Sequence, residues 1–143
     1  MKSFTKKPKY GNTKVVVDDI VFDSKREYQR YEFLKLMEHG GIVRDLKRQV
    51  KYELIPKITH IETVHMKTKD KQVERVDQLP ITYTCDFEYV IVETGELITE
   101  DVKISKQMIP KEFSLKAKLF FWKTGRKISL VFKPKQDVKN PQI

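Results

Sequence analysis

The stretch ITYTCDFEYVIVETGELITEDVKIS, residues 81–105, decides how this chain is read. Two runs rich in β-branched and aromatic residues flank Thr94-Gly95, the pattern of a β-hairpin. Yet Asp86, Asp101 and Lys103 sit inside those runs, where core residues are expected. Strand side chains alternate between two faces, so counting by twos sorts the hairpin. Tyr83, Cys85, Phe87, Tyr89 and Ile91 share one face with Ile98, Glu100, Val102 and Ile104. Thr82, Thr84, Asp86, Glu88 and Val90 share the other with Thr99, Asp101 and Lys103. A two-residue or four-residue turn around Thr94-Gly95 sets Glu93 opposite Glu96 and Asp86 opposite Lys103.

Carboxylates gathered on one face repel one another and raise each other's pKa unless a cation lies among them. Oxygen donors of this kind suit Mg²⁺ or Mn²⁺, which complete their coordination with water and with substrate phosphate oxygens. Lys103, two residues from Asp101, is placed to orient or deprotonate an attacking water or to stabilise transition-state charge. The spacing equally fits a solvated strand face carrying an Asp86–Lys103 cross-strand ion pair.

The remainder of the chain favours an anionic partner. Lys and Arg number 29 against 20 Asp and Glu, a formal charge of +9, and the sequence pI is ≈ 9.5. Such a balance suits nucleic acid. The 143 residues fit one domain, and a mean hydropathy of −0.54 describes a well-solvated surface. No apolar run reaches the roughly 20 residues of a membrane span, and MKSFTKKPKY lacks the apolar segment of a secretory signal. A cytoplasmic location is expected. Cys85 is alone, which leaves no internal disulfide or zinc cluster, and His39, His60 and His65 lack the spacing of a helical metal pair.

Residues 1–14 are basic with Pro8 and Gly11, and read as a flexible arm that follows DNA phosphates or simply solubilises the chain. KVVVDDIVFDS then suggests a small hairpin turning at Asp18-Asp19. In SKREYQRYEFLKLMEHGG, Ser24 is a natural N-cap, Glu27 completes a capping box and Gly40-Gly41 stops the helix. Glu27, Tyr31 and Leu34 share one helical stripe that Phe33 and Met37 widen, so Glu27 points toward the apolar side. Residues 42–55 read as one strand, and 56–80, bounded by prolines, as a projecting hairpin or long loop. After the central hairpin come a helix in PKEFSLKAKLFFWKTGRK, a strand in KISLVF and a polar tail over 133–143. On the second helix Phe113, Leu115, Leu119 and Phe120 are expected in the core, and Trp122 in the core or at its edge. The order predicts an α/β domain with a central mixed sheet flanked by helices.

A Glu on a helix, an Asp on a strand and Asp-x-Lys on its neighbour resemble the signature of the PD-(D/E)XK nuclease superfamily. The carrying residues are Glu27 in FDSKREYQRYEFLKLMEHGGI, Asp86 in YTCDFEYVI, and Asp101-Val102-Lys103 in EDVKI. The pattern is similar to that of small phage nuclease-like proteins, Holliday-junction resolvases of the phage endonuclease I type and TnsA-type transposon-end nucleases. It spans residues 15–55 and 81–132, with an insertion at about 56–80. Cys85 stands where that signature usually has proline, and Ile104 where glycine often follows the lysine.

The resemblance implies a single restriction-endonuclease-like domain over 15–132 and a Mg²⁺- or Mn²⁺-dependent endonuclease, with a nicking or transposon-end-type nuclease working in a complex, or a non-catalytic nucleic-acid-binding protein with an idle site, as the alternatives. It implies Asp86 and Asp101 as metal ligands, the Val102 carbonyl assisting, Lys103 positioning the water, and Glu27 completing the site. Glu27 is also accounted for as a capping residue, and Gln49 either supports the site or is an ordinary strand glutamine. Lys106, Lys111, Lys116 and Lys118 are expected to grip DNA, although any one of them also fits an exposed helix face. The implied substrate is branched DNA in phage recombination or replication; paired cuts at a junction imply a homodimer.

Overall fold

The computed structural model describes residues 13–132; the basic arm up to residue 12 and the tail over 133–143 lie outside them. The chain forms an α/β arrangement dominated by strands. Strands β1 (Val15–Val17) and β2 (Ile20–Phe22) form the opening hairpin. Asp18 and Asp19, at φ 50° and 64°, make its turn, a conformation that Asp tolerates better than most residues. Helix α1 (Lys25–His39) starts where Ser24 accepts a hydrogen bond from the Glu27 N–H at 3.2 Å. It stops at Gly40, and Gly41 at φ 75° turns the chain away.

Residues 42–55 form two strands instead of the single one expected: β3 (Val43–Arg48) and β4 (Lys51–Ile55). Their partners break at the matching point, into β7 (Ile81–Thr84) and β8 (Phe87–Ile91), with β4 on β7 and β3 on β8. Gln49, at φ 52°, interrupts one strand, and Cys85-Asp86 interrupts the other. Two hydrogen bonds tie the breaks together, from the Gln49 N–H to the Asp86 carbonyl at 3.1 Å and from the Cys85 N–H to the Val50 carbonyl at 3.0 Å. The ribbon therefore turns as a unit.

Strand β9 (Leu97–Lys103) pairs antiparallel with β8, and β10 (Ser129–Phe132) pairs parallel with β9. The mixed four-stranded order is β10-β9-β8-β3. Helix α2 (Lys111–Thr124) supplies the crossover that parallel neighbours need, and Gly125 at φ 71° ends it. The insertion is a long two-stranded hairpin, β5 (Ile58–His65) with β6 (Asp70–Gln78).

The β8–β9 register is two residues away from the expected one. Phe87 faces Glu100 and Tyr89 faces Ile98, because the four-residue turn is Val92–Gly95, centred one residue before Thr94-Gly95 and closed by the Ile91 N–H on the Glu96 carbonyl at 2.9 Å. An even shift keeps every side chain on its face but changes its neighbour. Asp86 is therefore not opposite Lys103; its N–H reaches the Glu100 carbonyl at 3.0 Å.

The break also divides the aromatic face. Phe87 and Tyr89 pack with Leu34 and Val43 under α1, whereas Tyr83 and Cys85 pack with Leu54 and Phe120 under α2. Phe120 is fully buried, with the Tyr52 and Tyr83 rings 5.0 and 5.9 Å away. Three expected core residues lie outside the core: Phe33 is 50% exposed, Leu115 58% and Trp122 80%. Helix α2 carries more large apolar residues than one face can bury. Phe120→Ala is expected to cost about 3–5 kcal/mol in a denaturant melt, and Trp122→Ala no more than about 0.5 kcal/mol. Equal losses would contradict this placement of the core.

Candidate active site

The candidate site residues gather where the ribbon breaks. The Asp86 carboxylate accepts the Val102 N–H at 2.7 Å, a bond from β9 that fixes one oxygen. Asp101, on β9, is buried; it accepts the Tyr83 hydroxyl at 2.7 Å on one oxygen and Lys103 Nζ at 3.0 Å on the other. Lys103 Nζ also lies 4.2 Å from the centre of the Phe113 ring, which holds the ammonium from the α2 side. Lys103 thus pairs with the Asp two residues before it, and the expected Asp86–Lys103 pair is replaced by an Asp86–Asp101 neighbourhood.

Among the described residues Asp86 itself makes no ion pair. Burial, followed by the charge of Asp101, pushes the Asp86 carboxyl up to about 7, with Glu27 adding to the effect; only the Val102 N–H works against them. Tyr83 is also pushed well above the usual phenol range by burial and by Asp101, so it serves as a neutral donor.

Glu27 stands one step back. It is buried, and burial raises its carboxyl despite the Asp23 N–H, Arg48 and Gln49. Its oxygens accept the Asp23 N–H at 3.2 Å and Gln49 Nε2 at 3.1 Å, with Arg48 Nη2 at 3.5 Å. Ser24 caps the helix through the Glu27 N–H, while the Glu27 carboxylate points inward and accepts from Asp23 instead of from Ser24. Gln49 connects the two halves, since its N–H bonds the Asp86 carbonyl and its side chain bonds Glu27.

Arg48 was not evident from the sequence, where it is one cation in a basic run. Its guanidinium stacks 4.2 Å from the Phe22 ring centre beside Glu27. Tyr83 was missed because continuous alternation puts it on the face opposite Asp101; the break brings it round. Glu88 and Glu100 stay apart from the pair. Glu88 accepts the Tyr52 hydroxyl, and Glu100 is held by Arg30 and the Tyr89 hydroxyl. Of the expected DNA-gripping lysines, Lys116 lines a cleft with Asp101 and Lys103. Lys106, Lys111 and Lys118 are exposed nearby in the chain.

The donor set tests whether a divalent cation fits. Asp86 and Asp101 offer hard oxygen donors; burial, followed by the charge of Asp101, raises Asp86, while Asp101 is paired with Lys103. Among the described residues no group of three or more His, Cys, Asp or Glu is placed to hold a metal ion. Two carboxylates are donors of the chemical type that Mg²⁺ takes beside water and phosphate oxygens.

The model of one protein family matches residues 7–137, nearly the whole chain. The chain belongs to the DUF1064 family, described as a protein of unknown function. No curated protein and no solved structure matches it. In this DUF1064 chain no described helix is long and apolar enough to cross a membrane.

Proposed function

We propose that the chain is a metal-dependent DNA endonuclease with a restriction-endonuclease-like fold of the PD-(D/E)XK kind. The observation that carries the reading is the Asp86–Asp101 pair, with Asp86 raised to about 7 and Lys103 Nζ 3.0 Å from Asp101. Asp86 and Asp101, with the Val102 main chain, would hold Mg²⁺ or Mn²⁺. The ion would supply charge stabilisation on the phosphoryl oxygens.

This chain's own residues do the rest. Tyr83 and the Val102 N–H fix the two carboxylates in place. Lys103 orients the attacking water and offsets negative charge growing on the phosphorus-bound oxygens. Hydrolysis joins the water oxygen to phosphorus and breaks one P–O ester bond, and the leaving oxygen takes up a proton. Glu27, aligned by Gln49 and Arg48, supports Asp86 from behind. The formal charge of +9 favours a polyanion, and Lys106, Lys111, Lys116 and Lys118 supply part of the grip.

The proposed substrate is branched DNA such as a Holliday junction, cut by a homodimer in the host-cell cytoplasm during phage recombination or replication. A labelled four-way junction and a linear duplex of the same sequences, each incubated with Mg²⁺, test the substrate. Faster cutting of the junction is expected. Equal rates would remove the branch preference and leave a general nuclease.

A further inference from the structure

Beside the carboxylate pair, between the start of α1 and the end of β9, lies a cleft of about 320 Å³. Lys25, Arg26 and Lys103 line it with Thr13 and Ser24, and among the described residues no carboxylate does. Lys103 belongs both to this cleft and to the Asp101 pair, so the cleft opens directly beside the proposed cutting point. Arg26 is held against the wall by a hydrogen bond from Nη1 to the Ile104 carbonyl at 3.3 Å. A guanidinium has five N–H donors, so most of them are left for an oxyanion.

A second cleft that shares Lys103 differs. With a volume of about 370 Å³ it includes Lys116, which is already paired with Glu112 at 3.1 Å. Among the described residues neither Lys25 nor Arg26 makes an ion pair. These two cations, with a third shared with the proposed cutting site, suit a singly charged diester.

We propose that this cleft binds a backbone phosphate of the DNA strand being cut, next to the scissile one, with Lys25 and Arg26 as its ligands. The choice of DNA rests on the nuclease reading above. The contact is to the backbone, so it contributes affinity and register without sequence preference.

The test is binding of a labelled DNA duplex in EDTA, followed by fluorescence anisotropy across a salt series. Wild type is compared with Lys25→Gln, Arg26→Gln and Lys35→Gln. Lys35 lies further along α1 and is paired with Glu38 at 3.1 Å, so its loss changes net charge equally but away from the cleft. Lys25→Gln and Arg26→Gln are each expected to weaken binding on every sequence and to lower the slope of log affinity against log salt by about 1. Lys35→Gln is expected to leave the slope unchanged.

Lys25 is exposed, so its substitution tests the cleft even if loss of the Arg26–Ile104 bond disturbs the fold. Slopes equal to wild type in both cleft variants, or an equal drop in Lys35→Gln, would overturn the proposal. If wild type cuts DNA while the cleft variants bind as it does, the cleft fails and the nuclease reading stands. If binding depends on the cleft but no DNA is cut with Mg²⁺ or Mn²⁺, the nuclease reading fails and the cleft stands. If wild type does not bind DNA at all, both fail.

Discussion

Lys103→Ala is expected to slow metal-dependent DNA cleavage by about 100- to 1000-fold, the usual cost of removing one aimed charge or donor from a transition state. The ammonium is held at both ends of its reach, 3.0 Å from Asp101 and 4.2 Å from the Phe113 ring centre. It is thus organised before substrate arrives. Its side chain is about one-fifth exposed but its partner Asp101 is buried, so truncation leaves a buried carboxylate without its cation and stability should fall by about 1–3 kcal/mol. Single-turnover rates at saturating DNA measure the effect. A rate within threefold of wild type would remove Lys103 from the chemistry.

Asp86→Asn is expected to stabilise the cation-free protein at pH 8 while abolishing cleavage. Asp86 is raised in the fold, from 3.8 to about 7, which reverses the usual carboxylate case. Between those values the folded state holds more protons than the unfolded one, so stability falls as pH rises from about 4 through about 7. Asparagine removes that loss and still accepts the Val102 N–H. At 1.36 kcal/mol per unit, the gain at pH 8 is about 1–4 kcal/mol. Below about pH 4 the two proteins should converge.

A divalent cation should stabilise the wild type at pH 8, by about 2.7 kcal/mol at a hundredfold excess over its dissociation constant, and should leave Asp86→Asn unmoved. Denaturant melts at pH 4 and pH 8, with and without Mg²⁺, measure all four corners. An Asp86→Asn protein less stable than wild type at pH 8 would contradict the charge account.

What the sequence made legible follows from how local each signal is. The turn at Asp18-Asp19, the Ser24 cap, the Gly40-Gly41 stop and the hairpin around Gly95 are each written in a few adjacent residues, and each is present in the structure. The faces of β8 and β9 were legible because alternation survives an even register error. The neighbours were not, because Glu93 and Glu96 give no apolar pairing to pin the residue on which the turn is centred. That difference decides whether Asp86 meets Lys103 or Asp101.

The paired breaks at Gln49 and Cys85-Asp86 left no signal, since a glutamine at positive φ looks like any strand glutamine until its partner strand is in place. With the breaks unseen, Tyr83 stayed on the wrong side and Gln49 was only a possible support. Glu100 was sorted correctly to the aromatic face. What neutralises it there, Arg30 from α1, is a contact across 70 residues.

The central claim is that Asp86 and Asp101 hold a divalent cation against a DNA phosphate. Cleavage of labelled DNA, as junction, duplex and single strand, by wild type and by Asp101→Asn in Mg²⁺, Mn²⁺ or EDTA tests it most directly. The account predicts cutting by wild type with either cation, none in EDTA, and none by Asp101→Asn under any condition. Cutting that persists in EDTA or in Asp101→Asn, or DNA bound by wild type and left uncut with both cations, would contradict it.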